Sequence, residues 1–368
     1  MSMQDVEQII DQAWTSLLLG VMRKRAVLRP EIGDEIDLYL PQSRLISLVA
    51  SNAQLPKPLY AAARSAADRN ARSIVKKLGM PPDYFWKFEY WPKARAMTGL
   101  GQIVKRVFSS MMSQAKEGNL DLVQLDLDPL RITIDFGSCA ECGGISGLSH
   151  GICYFHAGTF AGILSGLLDR ELDASETACC TMGHKSCRFL IGDRGDKEIQ
   201  HANEVYLSRT DGAPDLASRL QDSLGERPAR ELGNLVDVNY HRLILASTLL
   251  ADQPHPETTS LAVGSQLGRK LASVLEQFYG RRGVQSAIEY YSRLRGFKAE
   301  MRGDAARQEL VITDCAESAG TVKTQEMLSF LEGELQGMIS ALTETDTVLT
   351  ESRFEGEKLV LAFAPRAQ

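Results

Sequence analysis

Residues 151–192 read GICYFHAGTFAGILSGLLDRELDASETACCTMGHKSCRFLIG, and this stretch decides the fold. It opens as a helix, Gly151 to Leu168, in which Gly158, Gly162 and Gly166 are four apart and line one stripe. Small residues there let the backbone lie close on a neighbour. It closes as a hairpin, Glu171 to Ile191, where a strand, a tight turn and a return strand bring Cys179 and Cys187 together. Glu176 stands three residues before Cys179, and Cys153 sits at the start of the helix. Three thiolates and one carboxylate fill the tetrahedron that zinc favours and leave no position for substrate, so such a site staples a fold.

The expected ligands are therefore Cys153, Glu176, Cys179 and Cys187, with one Zn(2+) per chain. Other side chains compete. Cys139-x2-Cys142 also has metal spacing. Cys180, adjacent to Cys179 on a strand, would point to the opposite face. His156 and His184 are within reach but read more simply as a polar core and a polar surface residue. Idle buried thiols are the bland alternative; against it, six of the seven cysteines fall between Cys139 and Cys187. That clustering suits metal binding in a reducing cytoplasm better than a disulfide scaffold.

Working outward, the chain is written twice. Arg29-Pro30 and Arg44-Leu45-Ile46 recur as Arg227-Pro228 and Arg242-Leu243-Ile244, each at a shift of 198. Cys139-Ala140-Glu141 recurs as Cys315-Ala316-Glu317 at 176, and Phe155, Gly158, Gly162 and Ser165 meet Phe330, Gly333, Gly337 and Ser340 at 175. The pattern predicts an α+β fold of two tandem modules, each a small antiparallel sheet with packed helices. Helices are expected at Leu59 to Leu78 and Gln102 to Met112, and again at Leu261 to Tyr279 and Gln285 to Leu294. Hairpins follow at Leu122 to Leu127 with Arg131 to Phe136, and at Lys298 to Arg302 with Glu309 to Asp314. The second copy then has a helix at Glu326 to Leu342 and a closing hairpin at Val348 to Ala364. The expected division is an N-terminal helical segment 1–28, a zinc-bearing unit 29–195, a polar linker 196–226 with a helix in it, and a degenerate unit 227–368. In that second unit Leu328, Phe354 and a residue near Val360 replace the cysteines and only Glu351 survives, so packing there takes over from metal.

A net charge of −6 over 368 residues gives no general attraction to nucleic acid. The cluster Arg23-Lys24-Arg25 reads as a solvated helix face. The start lacks the order of a signal peptide, and no apolar run reaches the roughly 18 residues a membrane span needs, so a cytoplasmic protein is expected. No nucleophile elbow, zinc-protease helix, phosphate loop or dinucleotide fingerprint is present. His150 and His156 near Asp135 and Glu141 invite an acid–base reading, but nothing in the sequence fixes their geometry. Tyr84, Phe85, Trp86, Phe88, Tyr90 and Trp91 crowd into eight positions of a chain only 7% aromatic. They suit a lid over an apolar cavity, or equally a packing or homodimer contact.

The stretch 151–192 resembles the 4-vinyl reductase (4VR) domain, whose signature is a cysteine ahead of a G-x3-G helix followed by E-x2-C-x3-G-x3-C-x-F. The resemblance covers residues 29–195 well and 227–368 only as a degenerate copy. It implies a fold similar to small subunits of vesicle-tethering complexes and to NO-signalling ligand-binding domains, with a hydrophobic ligand cavity. In the family's phenol-responsive activators a zinc site stands beside that cavity, and its ligands carry onto Cys153, Glu176, Cys179 and Cys187. The tryptophan and histidine that grip phenol there have no secure counterpart; Phe136 stands near the tryptophan's place as a pocket wall. The family also includes a bacteriochlorophyll-biosynthesis protein regarded as a tetrapyrrole binder or carrier. The expectation is a non-enzymatic sensor or carrier of a small aromatic or tetrapyrrole-like ligand. The alternatives are a scaffold with a protein partner, and an accessory subunit or enzyme of tetrapyrrole metabolism.

Overall fold

Along Leu130–Gly137 buried and half-buried residues alternate strictly, as in a strand with one face on a core. The computed structural model describes residues 8–9, 12–14, 16, 27–29, 32–77, 108–208, 230–251, 256–279, 283–303, 307–318 and 325–366. In chain order the elements are β1 (Glu35–Asp37), α1 (Tyr39–Ser51), α2 (Pro56–Lys77), α3 (Ser109–Gln114), β2 (Asn119–Leu127), β3 (Leu130–Gly137), α4 (Tyr154–Leu168), β4 (Leu172–Ala178), β5 (Cys187–Asp193) and α5 (Lys197–Ser208). There follow β6 (Leu235–Asp237), α6 (Val238–Ala251), α7 (Pro256–Tyr279), α8 (Val284–Arg295), β7 (Lys298–Gly303), β8 (Gln308–Thr313), α9 (Gln325–Leu342), β9 (Thr347–Glu355) and β10 (Lys358–Pro365). The fold is α+β.

Two four-stranded antiparallel sheets have the orders β2-β3-β5-β4 and β7-β8-β10-β9, and β1 pairs with β6. In the first sheet Phe136 lies opposite Cys187, which sets a cysteine at the start of β5 beside the end of β3. Helix α4 lies along α2 because its glycines leave room. A Cβ at Gly158 or Gly162 would strike the carbonyl oxygen of Tyr60 or Arg64. Gly333 and Gly337 of α9 meet Leu261 and Ser265 of α7 in the same way.

The expected elements are present where described, with shifted ends. Helix α2 starts three residues early, at Pro56, a residue suited to a first helical position. Helix α4 starts at Tyr154 rather than Gly151, because Cys153 already has non-helical backbone as its N-cap. Helices α1 and α6 are additions, and the repeated Arg-Leu-Ile triplets lie inside them. They interlock the two halves. Val236, Tyr240, Leu243 and Ile244 join the core of the first half, while Tyr39, Leu48 and Leu55 join that of the second.

Candidate metal centre

After β3 the chain enters a loop, residues 138–153, that carries Cys139 and Cys142. Distant side chains hold it. The Gln42 side-chain amide donates to the carbonyls of Ala140 (3.1 Å) and Gly143 (2.9 Å), and Arg230 donates to that of Ser138 (2.7 Å). The far end is tied to the turn between β4 and β5, where Thr181 Oγ1 donates to the His150 carbonyl (2.9 Å).

Cys153 caps α4, whose positive end favours a thiolate. Its amide donates to Glu176 Oε2 at 3.1 Å. A Cβ on Gly151 would collide with that same oxygen, so a glycine is required where the carboxylate crosses the loop. Cys179 follows β4 and Cys187 starts β5. The three sulfurs stand 3.9 Å (Cys153–Cys179), 3.7 Å (Cys153–Cys187) and 3.8 Å (Cys179–Cys187) apart. A regular tetrahedron with Zn–S bonds of about 2.3 Å has an edge of about 3.8 Å. Glu176 Oε1 is buried and has no hydrogen-bond partner among the described residues. Ligand atoms of all four residues lie within 4.8 Å of one another. The four expected residues are brought together, and such a buried group can hold a metal ion.

Charge also favours a cation here. Burial, with the Cys179 thiolate beside it, pushes the Glu176 carboxyl well up. Hydrogen bonds from Cys142, Cys153 and Cys187 push the Cys179 thiol far down, whereas burial raises Cys153. A dry pocket of thiols and a carboxylate ionises together only around a compensating ion.

Cys139 and Cys142, the competitors of the sequence reading, join the same cluster. Cys139 lies 3.6 Å from Cys153 and Cys142 lies 3.3 Å from Cys187, so Cys139, Cys142, Cys153 and Cys187 form a second buried group. Cys180 is not on a strand. It begins a short 3₁₀ turn, Cys180–Met182, and its thiol points to the Lys185 carbonyl. His184 is exposed. His156 is fully buried, with Nδ1 2.8 Å from Glu141 and 3.6 Å from the Cys139 sulfur. The Glu141 carboxylate accepts the amides of Phe155 and His156, both at 2.9 Å, and so caps α4. Asp135 instead pairs with Arg188 on the surface.

Phe136 is fully buried, 4.9 Å from the His156 ring and 5.2 Å from Phe160. The aromatic residues Tyr84 to Trp91 fall outside the described residues. A cleft of about 490 Å³ opens between α1, α2 and α5, lined by Asn52, Lys57, Pro58, Asn203 and Leu207 among others. In the second half Leu328 and Val360 are buried and Phe354 is half-buried. Glu351, read from the sequence as the surviving ligand, is instead exposed and paired with Arg307 and Arg353. No described helix is long and apolar enough to cross a membrane.

Residues 132–193 match the family model of the V-4-R (4-vinyl reductase) domain, the domain that the sequence resembles. Two uncharacterized proteins of Methanocaldococcus jannaschii are similar to the chain. MJ0150 is 30% identical over 84 residues, 23% of this chain and 47% of its own length. MJ1642 is 28% identical over 83 residues, 23% of this chain and 49% of its own. The chain thus spans about half the length of the curated relatives it matches. Among solved structures, the phenol-responsive sensory domain of the transcription activator PoxR with phenol resembles it with a TM-score of 0.33 and 13% identity, over 47% of this chain and 82% of that one. A trafficking protein particle complex subunit 3 from Naegleria fowleri, covalently bound to palmitic acid, does so with a TM-score of 0.29 and 12% identity, over 41% and 93%.

Proposed function

We propose that the chain is a non-enzymatic small-molecule-binding protein whose first half is stapled by zinc held by Cys153, Glu176, Cys179 and Cys187. The observation that carries this reading is the triangle of sulfurs at 3.7–3.9 Å beside a buried carboxylate oxygen with no other described partner. With all four positions taken by protein, the ion supplies a cross-link between α4 and the β4–β5 hairpin. The family match over 132–193 and the aromatic run from Tyr84 to Trp91 support an aromatic or tetrapyrrole-like ligand, with Phe136 near the wall of its pocket.

The chain is further proposed to be an internal duplication, units 29–195 and 227–368 joined by the linker 196–226, with the second unit metal-free. Beyond the sequence repeats, matching contacts support it. Ser165 Oγ accepts the Leu172 amide at 3.0 Å, and Ser340 Oγ accepts the Thr347 amide at 3.0 Å. The identical strand orders of the two sheets agree.

The test uses the purified full chain. Zinc should be retained through dialysis and lost in Cys187→Ser, and protoporphyrin should quench tryptophan fluorescence saturably in the parent and more weakly in the variant. A metal-free parent overturns the zinc staple, and an unsaturable response to both protoporphyrin and phenol overturns the ligand class.

A further inference from the structure

The first half holds more ligands than one tetrahedral ion can use. Five buried sulfurs and one buried carboxylate fall into two groups of four: Cys153, Glu176, Cys179 and Cys187, and Cys139, Cys142, Cys153 and Cys187. They have two members in common, Cys153 and Cys187, whose sulfurs are 3.7 Å apart. Two tetrahedra that share one edge have this arrangement, and a thiolate sulfur has lone pairs enough to bridge two ions.

We propose that the centre is binuclear: two divalent, thiophilic cations of the zinc type, with Cys153 and Cys187 bridging. Cys139 and Cys142 complete the second ion, and Glu176 and Cys179 complete the first. The proposal rests on the zinc reading above and extends it to a second position.

Spacing argues for shared ions over a larger cluster. The contacts of Cys139 with Cys153 (3.6 Å) and of Cys142 with Cys187 (3.3 Å) are tetrahedral-edge lengths or less. Cysteines that ligate different corners of an iron–sulfide cluster must stand further apart, because inorganic sulfide fills the space between them. Charge balances as well. Five thiolates and a carboxylate carry six negative charges, and a single dication would leave four of them in a site closed to water, against two with a pair of dications. The scaffold is in place without any metal. Gln42, Arg230 and the Glu117 carbonyl, which accepts the Ala140 amide at 2.7 Å, hold the Cys139–Cys142 loop from three separate elements.

The two ions would sit roughly 3 Å apart, given Zn–S bonds of about 2.3–2.4 Å across the shared edge. The experiment is native mass spectrometry of the full chain after zinc loading and gel filtration, with circular dichroism to score folding. Two zinc ions per chain are expected in the parent. One is expected in the Cys139→Ser/Cys142→Ser variant, and one in the Glu176→Gln/Cys179→Ser variant. One ion in the parent and in both variants would overturn the proposal while leaving the mononuclear centre intact, since the two groups would then be alternatives for a single ion. No ion in the parent would overturn both. Should a variant fail to fold, cadmium-113 resonance on the parent decides alone: two coupled signals support the bridged pair, and a single signal contradicts it.

Discussion

The Glu141 carboxylate lies across the start of α4, accepting the His156 amide at 2.9 Å while standing 2.8 Å from the same residue's Nδ1. Both side chains are fully enclosed, so neither amide nor ring has water to turn to. Glu141→Gln keeps one acceptor but presents an N–H to a second donor. It is expected to cost about 2–3 kcal/mol, because a buried donor is left unmade. Urea denaturation of the metal-loaded protein measures this, and a loss below about 0.5 kcal/mol would deny Glu141 the role of cap.

The glycine stripe makes a second expectation. A Cβ on Gly166 would come within 2.6 Å of both the Ala71 Cβ and the Asp68 carbonyl oxygen in α2. Gly166→Ala should therefore destabilise by about 1–3 kcal/mol through overpacking, even though alanine is favoured over glycine in a free helix by about 1 kcal/mol. Gly195→Ala, where nothing lies within 4 Å, is the control and should stay within about 0.5 kcal/mol of the parent. Thermal melts of the pair side by side decide it; equal melting points would mean that α2 and α4 do not approach so closely.

How much of this was legible in sequence divides along physical lines. The spacing of Glu176, Cys179 and Cys187 on a hairpin is local, and the ligand group could be read from it. The place of Cys139 and Cys142 could not, because their loop is fixed by Gln42, about a hundred residues upstream. Helices α1 and α6 left little periodic signal. Nearly every residue from Tyr39 to Leu48 and from Val238 to Leu249 is buried, polar Gln42, Arg44, His241 and Arg242 included, so no polar face marks them. Glu351 was misread because on a strand a shift of one residue exchanges the buried and exposed faces.

Acid should unfold the second half through Glu317. Burial alone would raise its carboxyl, but the Arg295 guanidinium at 3.1 Å outweighs this, with His241 and the Cys315 thiol adding, and holds it well below the usual carboxylate range. With a depressed native pKa, the unfolded chain takes up the proton first. The stability from Glu317 is therefore whole above the ordinary glutamate value of about 4.3 and is lost as pH falls below it. Glu334, 2.9 Å from Arg295, is raised by burial and works in the opposite sense. Glu317→Gln should be less stable at pH 7 and lose less on going from pH 5 to pH 3. A variant whose urea midpoint falls as steeply as the parent's would contradict this assignment.

The interlocked cores imply that the halves survive a chain break. Cutting within 209–229 leaves α6 packed in the first half's core and Tyr39 and Leu48 in the second's. Two co-expressed fragments, 1–208 and 230–368, should co-purify through a tag on either one. Clean separation in dilute buffer would mean that the exchanged segments contribute little.

Diffraction at the zinc absorption edge, from crystals of the full chain grown without added metal, bears most directly on the staple of the first half. An anomalous peak is expected within bonding distance of the Cys153, Cys179 and Cys187 sulfurs and a Glu176 oxygen, with none in the second half. A well-phased map with no peak among those sulfurs would contradict it.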